Sequence, residues 1–193
     1  NHSDRVVVSS LPYFLSKPKV GNVVVVKYND KMLVKRIIRV ENKKYYLFRA
    51  KCADLFYWKY LNEKVLEFGC GVGQNIFLHK ELSVGIDISD FSINECQKKG
   101  IKTEKNIKNI RNEIFDCVLC CHVLEHVKNP YETLSDFYRI LKEGGSLVIV
   151  LPFSKNNKPI KNFKSDVAKH FYNWNFASIN EILIDVGFRI KLN

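Results

Sequence analysis

Residues 65–73 read Val-Leu-Glu-Phe-Gly-Cys-Gly-Val-Gly, an apolar run that carries an acid, Glu67, and enters glycines at alternate positions. Gly69, Gly71 and Gly73, with Cys70 among them, let a backbone turn sharply and approach a ligand, and a helix N-terminus behind such a loop favours electron-rich groups. Asp87 closes the next apolar run, Val84-Gly85-Ile86-Asp87. That is the spacing at which a carboxylate can take a ribose diol. A nicotinamide-dinucleotide fingerprint requires a third glycine at the sixth position, and counting from Gly69 the residue there is Gln74. The dinucleotide reading loses ground at that point. The plainer alternative is a glycine-rich turn that only packs a strand on a helix.

Positioning these groups takes alternating strands and helices. From Cys52 onward the strand candidates are Lys64 to Phe68, Leu82 to Asp87, Lys102 to Lys105, Phe115 to Cys120, Ser146 to Leu151 and Phe188 to Lys191. Helix candidates lie between them: Gln74 to Lys80, Ser89 to Lys99, Pro130 to Ile140 and Ser178 to Val186. Ser89 can cap the second and Gly100 can end it, while Gly144 and Gly187 can end the third and fourth. The alternation predicts βαβ units and an α/β, doubly wound, mainly parallel sheet. Residues 1–50 follow another rhythm, with Val-, Ile- and Tyr-rich runs broken by Pro12, Lys17-Pro18, Gly21 and Asn29-Asp30. They predict a small β-rich module with a hairpin at Asn29-Asp30.

The pattern Glu67-x-Gly69-x-Gly71-x-Gly73 resembles the first motif of class I methyltransferases that use S-adenosylmethionine. Phe115-Asp116-Cys117-Val118-Leu119-Cys120-Cys121-His122-Val123-Leu124-Glu125-His126-Val127 resembles that family's fourth strand and the turn beyond it. Leu141-Lys142-Glu143-Gly144-Gly145 is similar to its turn into strand five. The resemblance covers roughly residues 52–191 and implies a Rossmann-like fold with S-adenosylmethionine as cofactor. It implies that the cofactor is held by Glu67, Gly69, Cys70, Gly71, Gly73 and Asp87, with Ile88 packing on the adenine face. Cys121 falls just past the strand tip, where the family lines its site. The family often places an acid after strand three for the adenine amino group, whereas this chain has Glu104-Lys105-Asn106-Ile107. Asn106 can offer a carbonyl acceptor instead.

The implied reaction is attack by a nucleophilic O, N, S or C on a methyl carried by a sulfonium, so the protein chiefly supplies alignment and, for some acceptors, a base. His122 and His126 are the local candidates for that base. Each also has a structural alternative, His126 bonding backbone or Glu125 and His122 shaping the pocket. His170-Phe171-Tyr172-Asn173-Trp174 lies where relatives often cover the acceptor, and could form an aromatic lid with a base of its own. The acceptor is expected to be a small molecule.

Six irregularly spaced cysteines read as reduced thiols of a cytoplasmic protein. Cys117-x-x-Cys120-Cys121 has zinc-like spacing, but no second pair completes four ligands, and no metal is expected there.

Stretches of residues 1–50, Asp4 to Val8, Pro18 to Val25 and Leu33 to Ile38, also resemble the β core of signal-peptidase-like serine proteases of the Ser/Lys type, with Lys35 at the place of the general base. The serine of such enzymes stands in an S-M-x-P context that Ser3, Ser9 and Ser10 do not share. A base without its nucleophile cannot cleave a peptide, so residues 1–50 are expected to be an inactive module and residues 51–193 the methyltransferase domain. Relatives close their sheet with two further strands, so that domain could be truncated at its C-terminus, its sheet completed by another chain.

The net charge of +11 is unevenly spread: residues 1–64 hold fourteen Lys or Arg against five acids, and residues 65–193 hold seventeen against fifteen. The basic residues are mostly lysines without Arg clusters or interleaved aromatics, which argues against a nucleic-acid partner. No apolar run approaches the roughly 20 residues a bilayer span needs. The oligomeric state is open. The alternative to an enzyme is a non-catalytic Rossmann-like module whose basic β segment docks an anionic partner.

Overall fold

The computed structural model describes residues 5–9, 23–28, 31–36, 50–54, 57–61, 63–152 and 170–190. Eight strands are present among them: β1 (Arg5–Ser9), β2 (Val23–Tyr28), β3 (Lys31–Arg36), β4 (Val65–Phe68), β5 (Ser83–Ile86), β6 (Lys102–Glu104), β7 (Phe115–Cys121) and β8 (Leu141–Val150). The longer helices are α1 (Asp90–Lys98), α2 (Pro130–Ile140) and α3 (Phe176–Val186). Six strands form one sheet in the order β1-β8-β7-β4-β5-β6, every neighbouring pair parallel. This is the Rossmann-like doubly wound sheet that the alternation predicted. The chain runs outward from β4 through β5 to β6, then returns to place β7 on the other side of β4. The reversal opens a crevice at the carboxyl ends of β4 and β7, where ligands of such sheets bind.

The sheet is buried on both faces, which explains its near-continuous apolar strands. Leu66, Val118, Cys120, Leu147 and Ile149 pack on one side with Leu134 and Phe137 of α2 and Ile179 and Leu183 of α3. Val65, Cys117, Leu119 and Val148 face the other side, against Leu61 and the aromatic run Tyr57, Trp58 and Tyr60. The helix starts are set by side chains. Ser89 accepts from Ser92 N, Asn129 accepts from Glu132 N with Pro130 opening α2, and Asn175 and Ser178 form a reciprocal capping box on α3. Gly187, with φ of +114°, ends α3 in the left-handed conformation.

Several expectations are corrected. The helix expected over Gln74 to Lys80 is instead a pair of 3-10 turns over Phe77–Leu82. No side chain caps their start at Ile76, and His79 breaks the helical geometry with φ of −122°. The strand expected at Phe188 to Lys191 is reduced to a single bridge at Ile190, and residue 191 lies outside the described set. Strand β8 starts earlier than expected, because Phe115 pairs with Leu141 while Cys117 already pairs with Ser146. The Lys142-Glu143-Gly144-Gly145 turn is therefore a bulge inside β8, with Gly144 at φ of +74°.

Strands β2 and β3 pair antiparallel from Tyr28↔Lys31 to Val23↔Arg36, a hairpin about residues 29–30. Strand β1 pairs outside that hairpin: it lies parallel to β8, Arg5 opposite Ser146 and Ser9 opposite Val150. It thereby takes up the backbone groups that β8 would otherwise expose as an edge. The remaining N-terminal runs, including Lys44 to Phe48, fall outside the described residues.

Candidate functional site

The glycine loop leaves β4 as a chain of main-chain hydrogen bonds. Gly69 N and Cys70 N both donate to Ile86 O, at 2.8 and 2.9 Å, and Gly73 N donates to Cys70 O at 2.9 Å. Gly69, Gly71 and Gly73 all have left-handed φ, at +73°, +53° and +79°. A Cβ on Gly69 would stand 2.3 Å from Val123 Cγ2, whereas one on Gly71 would meet only Gln74 Nε2, at 4.0 Å. The loop is thus closed against the turn after β7 at Gly69 and open above Gly71.

Asp87 ties this loop to α1, its Oδ2 accepting from Gly71 N at 2.8 Å and its Oδ1 from Ser89 N at 2.9 Å. Glu67 is only 1% exposed, and its Oε1 accepts from Asn75 Nδ2 at 2.5 Å. Asn75 is held in turn by Trp58, whose ring N–H donates to Asn75 O at 2.9 Å. Asn75 was not singled out from the sequence; the signal was an amide side chain two residues past the last glycine of the loop. Cys70 lies beneath, 4.0 Å from the sulfur of Cys96. Its thiol is pushed far up by the hydrogen bond with Cys96, by burial, and by the carboxylates of Glu67 and Asp87. The two acids therefore act on one small volume around the loop. Ile88 projects beside Asp87 with 88% of its surface exposed. Asn106 is exposed and caps a 3-10 turn, its side chain accepting from Lys108 N at 3.0 Å.

A left-handed residue leads out of β7 on the other side of the crevice. His122 has φ of +55° and donates its backbone N–H to Val150 O at 2.9 Å. Cys121, half-buried, donates its thiol to Tyr57 Oη at 3.4 Å. Leu124–His126 make a 3-10 turn that carries Glu125 inward to complete burial. Glu125 Oε1 lies 3.7 Å from His122 Nδ1 and 3.9 Å from His126 Nε2. The expected aromatic cover closes on this turn: Phe171 N donates to Glu125 O at 2.8 Å, and the His170 ring centroid sits 4.7 Å from that of His126. Tyr172 stacks on Trp174 and donates its hydroxyl to Lys128 O at 3.0 Å.

A family model described as "Methyltransferase domain" matches residues 40–192. The chain belongs to that family. Its family and fold are those of the class I methyltransferases, whose cofactor is S-adenosylmethionine. An uncharacterized protein of Methanocaldococcus jannaschii is 37% identical over 101 residues, covering 48% of this chain and 44% of that protein. The phosphatidylethanolamine N-methyltransferase of Cereibacter sphaeroides is 25% identical over 119 residues, covering 55% and 59% respectively. This methyltransferase thus spans about half the length of the curated relatives it matches. In fold it is similar to a SAM-dependent methyltransferase of Thermotoga maritima, with a TM-score of 0.56 at 19% identity, covering 76% of this chain and 72% of that one.

The residues present fit the cofactor. The open space above Gly71 admits a ligand against bare backbone. Glu67 and Asp87 carry carboxylates beside the loop, and Ile88 leaves an apolar side chain exposed next to Asp87. No helix among the described residues is long and apolar enough to cross a membrane.

Proposed function

We propose that the methyltransferase transfers the cofactor's methyl group to a small-molecule acceptor bound between the glycine loop and the His122–His126 turn. S-adenosylmethionine, when bound, supplies a methyl on a sulfonium, a leaving group that needs no further activation. Glu67 takes the amino end, with Asn75 holding its carboxylate in place. Asp87 takes the ribose diol through the lone pairs its two main-chain bonds leave over. Ile88 covers one adenine face, and Asn106 accepts from the adenine amino group. Gly69, Cys70, Gly71 and Gly73 hold the backbone bend against which the methionine part lies, and Cys121 lines the floor beside it.

His122 and His126 stand where the acceptor's nucleophilic atom must approach. As the acceptor forms its bond to the methyl carbon and the carbon–sulfur bond breaks, either imidazole can receive the proton released by a hydroxyl or ammonium acceptor. Catalysis on this arrangement is mainly alignment, since effective molarity supplies most of what an already activated methyl requires. The observation that carries the reading is the pairing of Asp87 with Gly71 N across a loop left open above it.

The test is twofold. S-adenosylhomocysteine should bind by calorimetry to the wild type and lose at least about tenfold in affinity in Asp87→Asn, an interaction difference of about 1.4 kcal/mol. Transfer of labelled methyl should then be found on some member of a small-molecule panel. Binding with no turnover on any amine, hydroxyl, thiol or carbon acid would favour the non-catalytic module instead. No binding at millimolar ligand by folded protein would remove the cofactor assignment of these residues.

A further inference from the structure

Glu125 is a buried carboxylate with neither oxygen hydrogen-bonded. Burying an ionised carboxylate without partners is among the most costly arrangements a fold can hold, and it persists where a charge partner or a metal completes it. The groups around it are imidazoles. Glu125, His126 and His170 present ligand atoms that all lie within 4.8 Å of one another, and His122 Nδ1 lies 3.7 Å from the carboxylate oxygen that His126 also approaches. A proton relay between Glu125 and a histidine would place their atoms at about 2.6–3.2 Å. The separations here, 3.7 and 3.9 Å, are too long for that. They suit groups spaced around a small sphere.

We propose that Glu125, His126 and His170 bind a divalent transition cation of the zinc type. Two neutral imidazoles and one carboxylate form a donor set for borderline-soft metals and leave a coordination position open. Tetrahedral bonds of about 2.1 Å set ligand atoms about 3.4 Å apart. Side-chain rotations of an ångström or less therefore close the cluster without moving β7 or the turn after it. The main chain already brings the ligands together, since Phe171 N bonds Glu125 O and fixes the residue after His170 against the residue before His126. The cation neutralises Glu125. With the metal bound His126 is a ligand, leaving His122 to receive the acceptor's proton. That last consequence rests on the methyl-transfer reading; metal binding itself does not.

Cobalt(II) titration of the purified full chain tests the site, because its visible bands report ligand number and sulfur ligation gives a separate near-ultraviolet charge-transfer band. One equivalent of cobalt should bind with visible bands and no sulfur band. Loss of groups that merely support metal ligands already costs about 10–100-fold in metal affinity, so Glu125→Gln and His170→Asn should each weaken binding by more than about tenfold. His170→Asn guards against a Glu125 variant that does not fold. S-adenosylhomocysteine binding, measured in parallel, should survive both changes. Cobalt bound without homocysteine-nucleoside binding would still support the metal site while sinking the cofactor reading. A sulfur band would assign the metal to the cysteines and overturn the proposal. So would cobalt affinity unchanged in both variants, or no stoichiometric binding by protein that binds the nucleoside.

Discussion

The two halves of the crevice solve the same backbone problem with opposite residues. The half proposed for the cofactor bends the chain at Gly69, Gly71 and Gly73, each at positive φ, where glycine bears no steric cost. The acceptor half makes its left-handed turn at His122, at φ of +55°, where an L side chain is strained. The carboxylates follow the same division. Asp87 and Glu67 are tied to Gly71, Ser89 and Asn75, whereas Glu125 is buried with no hydrogen bond. One half is completed by its own chain. The other keeps a left-handed backbone at His122 and a buried carboxylate that makes no hydrogen bond.

The largest effect separating the halves should come from Gly69→Ala. A Cβ there meets Val123 Cγ2 at 2.3 Å and holds an unfavourable φ as well, so backbone strain and overpacking, each about 1–3 kcal/mol, act together. Denaturant unfolding should show a loss of several kcal/mol, and nucleoside binding should vanish. Gly71→Ala carries the strain without the clash and should unfold closer to wild type while still losing affinity. If the two variants were equally unstable, the closure of the loop against the turn after β7 would be wrong.

Asn75→Ala should rank next. It removes the amide that satisfies buried Glu67 Oε1, and an orphaned buried acceptor costs about 1–3 kcal/mol. Thermal melting should fall accordingly, and nucleoside affinity should fall with it if Glu67 takes the amino end as proposed, because its carboxylate is no longer fixed. A variant that melts lower but binds unchanged would make Asn75 structural only.

His122→Gly should move stability the other way. Relief of a non-glycine left-handed residue is expected to raise unfolding free energy by up to about 1 kcal/mol, offset in part by the added freedom of the unfolded chain. Methyl transfer to a hydroxyl acceptor should drop, with the loss in kcat rather than in cofactor binding. A stabilised variant with full turnover would show that the strain serves something other than chemistry.

The glycine loop and its neighbours were far more legible in the sequence than the turn after β7, for a physical reason. A glycine bend, a strand-tip acid and an N-cap are local devices whose spacing appears directly in residues 65–89, and α1 and α2 begin where Ser89 and Pro130 announced them. The acceptor half depends on an encounter between residues 44 apart, His126 and His170, brought together by the main-chain bond from Phe171 to Glu125. No periodicity encodes that. Asn75 escaped notice for the same reason, since its role depends on Glu67 across the loop. The failed helix over Gln74 to Lys80 shows a local pattern overruled: without a side-chain cap at Ile76 the segment settles into 3-10 turns. The pairing of β1 with β8 is likewise a contact across most of the chain, set by an open sheet edge rather than by the strand's own residues.

A last effect uses a thiol in the acceptor half as an electrostatic reporter. Cys120 is fully buried, and burial first, then the Glu125 carboxylate, raise its thiol well above the ordinary value of 9.0. The folded protein therefore keeps this proton at alkaline pH while the unfolded chain releases it. Since the native state then binds more protons, stability falls as pH rises beyond about 9, by up to about 1.4 kcal/mol per pH unit for this one group, and shows no such dependence below it. Urea unfolding of wild type and Cys120→Ala from pH 8 to 10 reads the difference. The variant should lose one proton's worth of slope in that range, apart from a constant offset for the deleted sulfur. In Glu125→Gln the slope should still begin near pH 9, where the unfolded thiol starts to ionise, and burial, the first cause of the raised thiol, should carry it through pH 10. A slope that flattens before pH 10 in that variant would mean that the carboxylate, rather than burial, holds most of the thiol's proton.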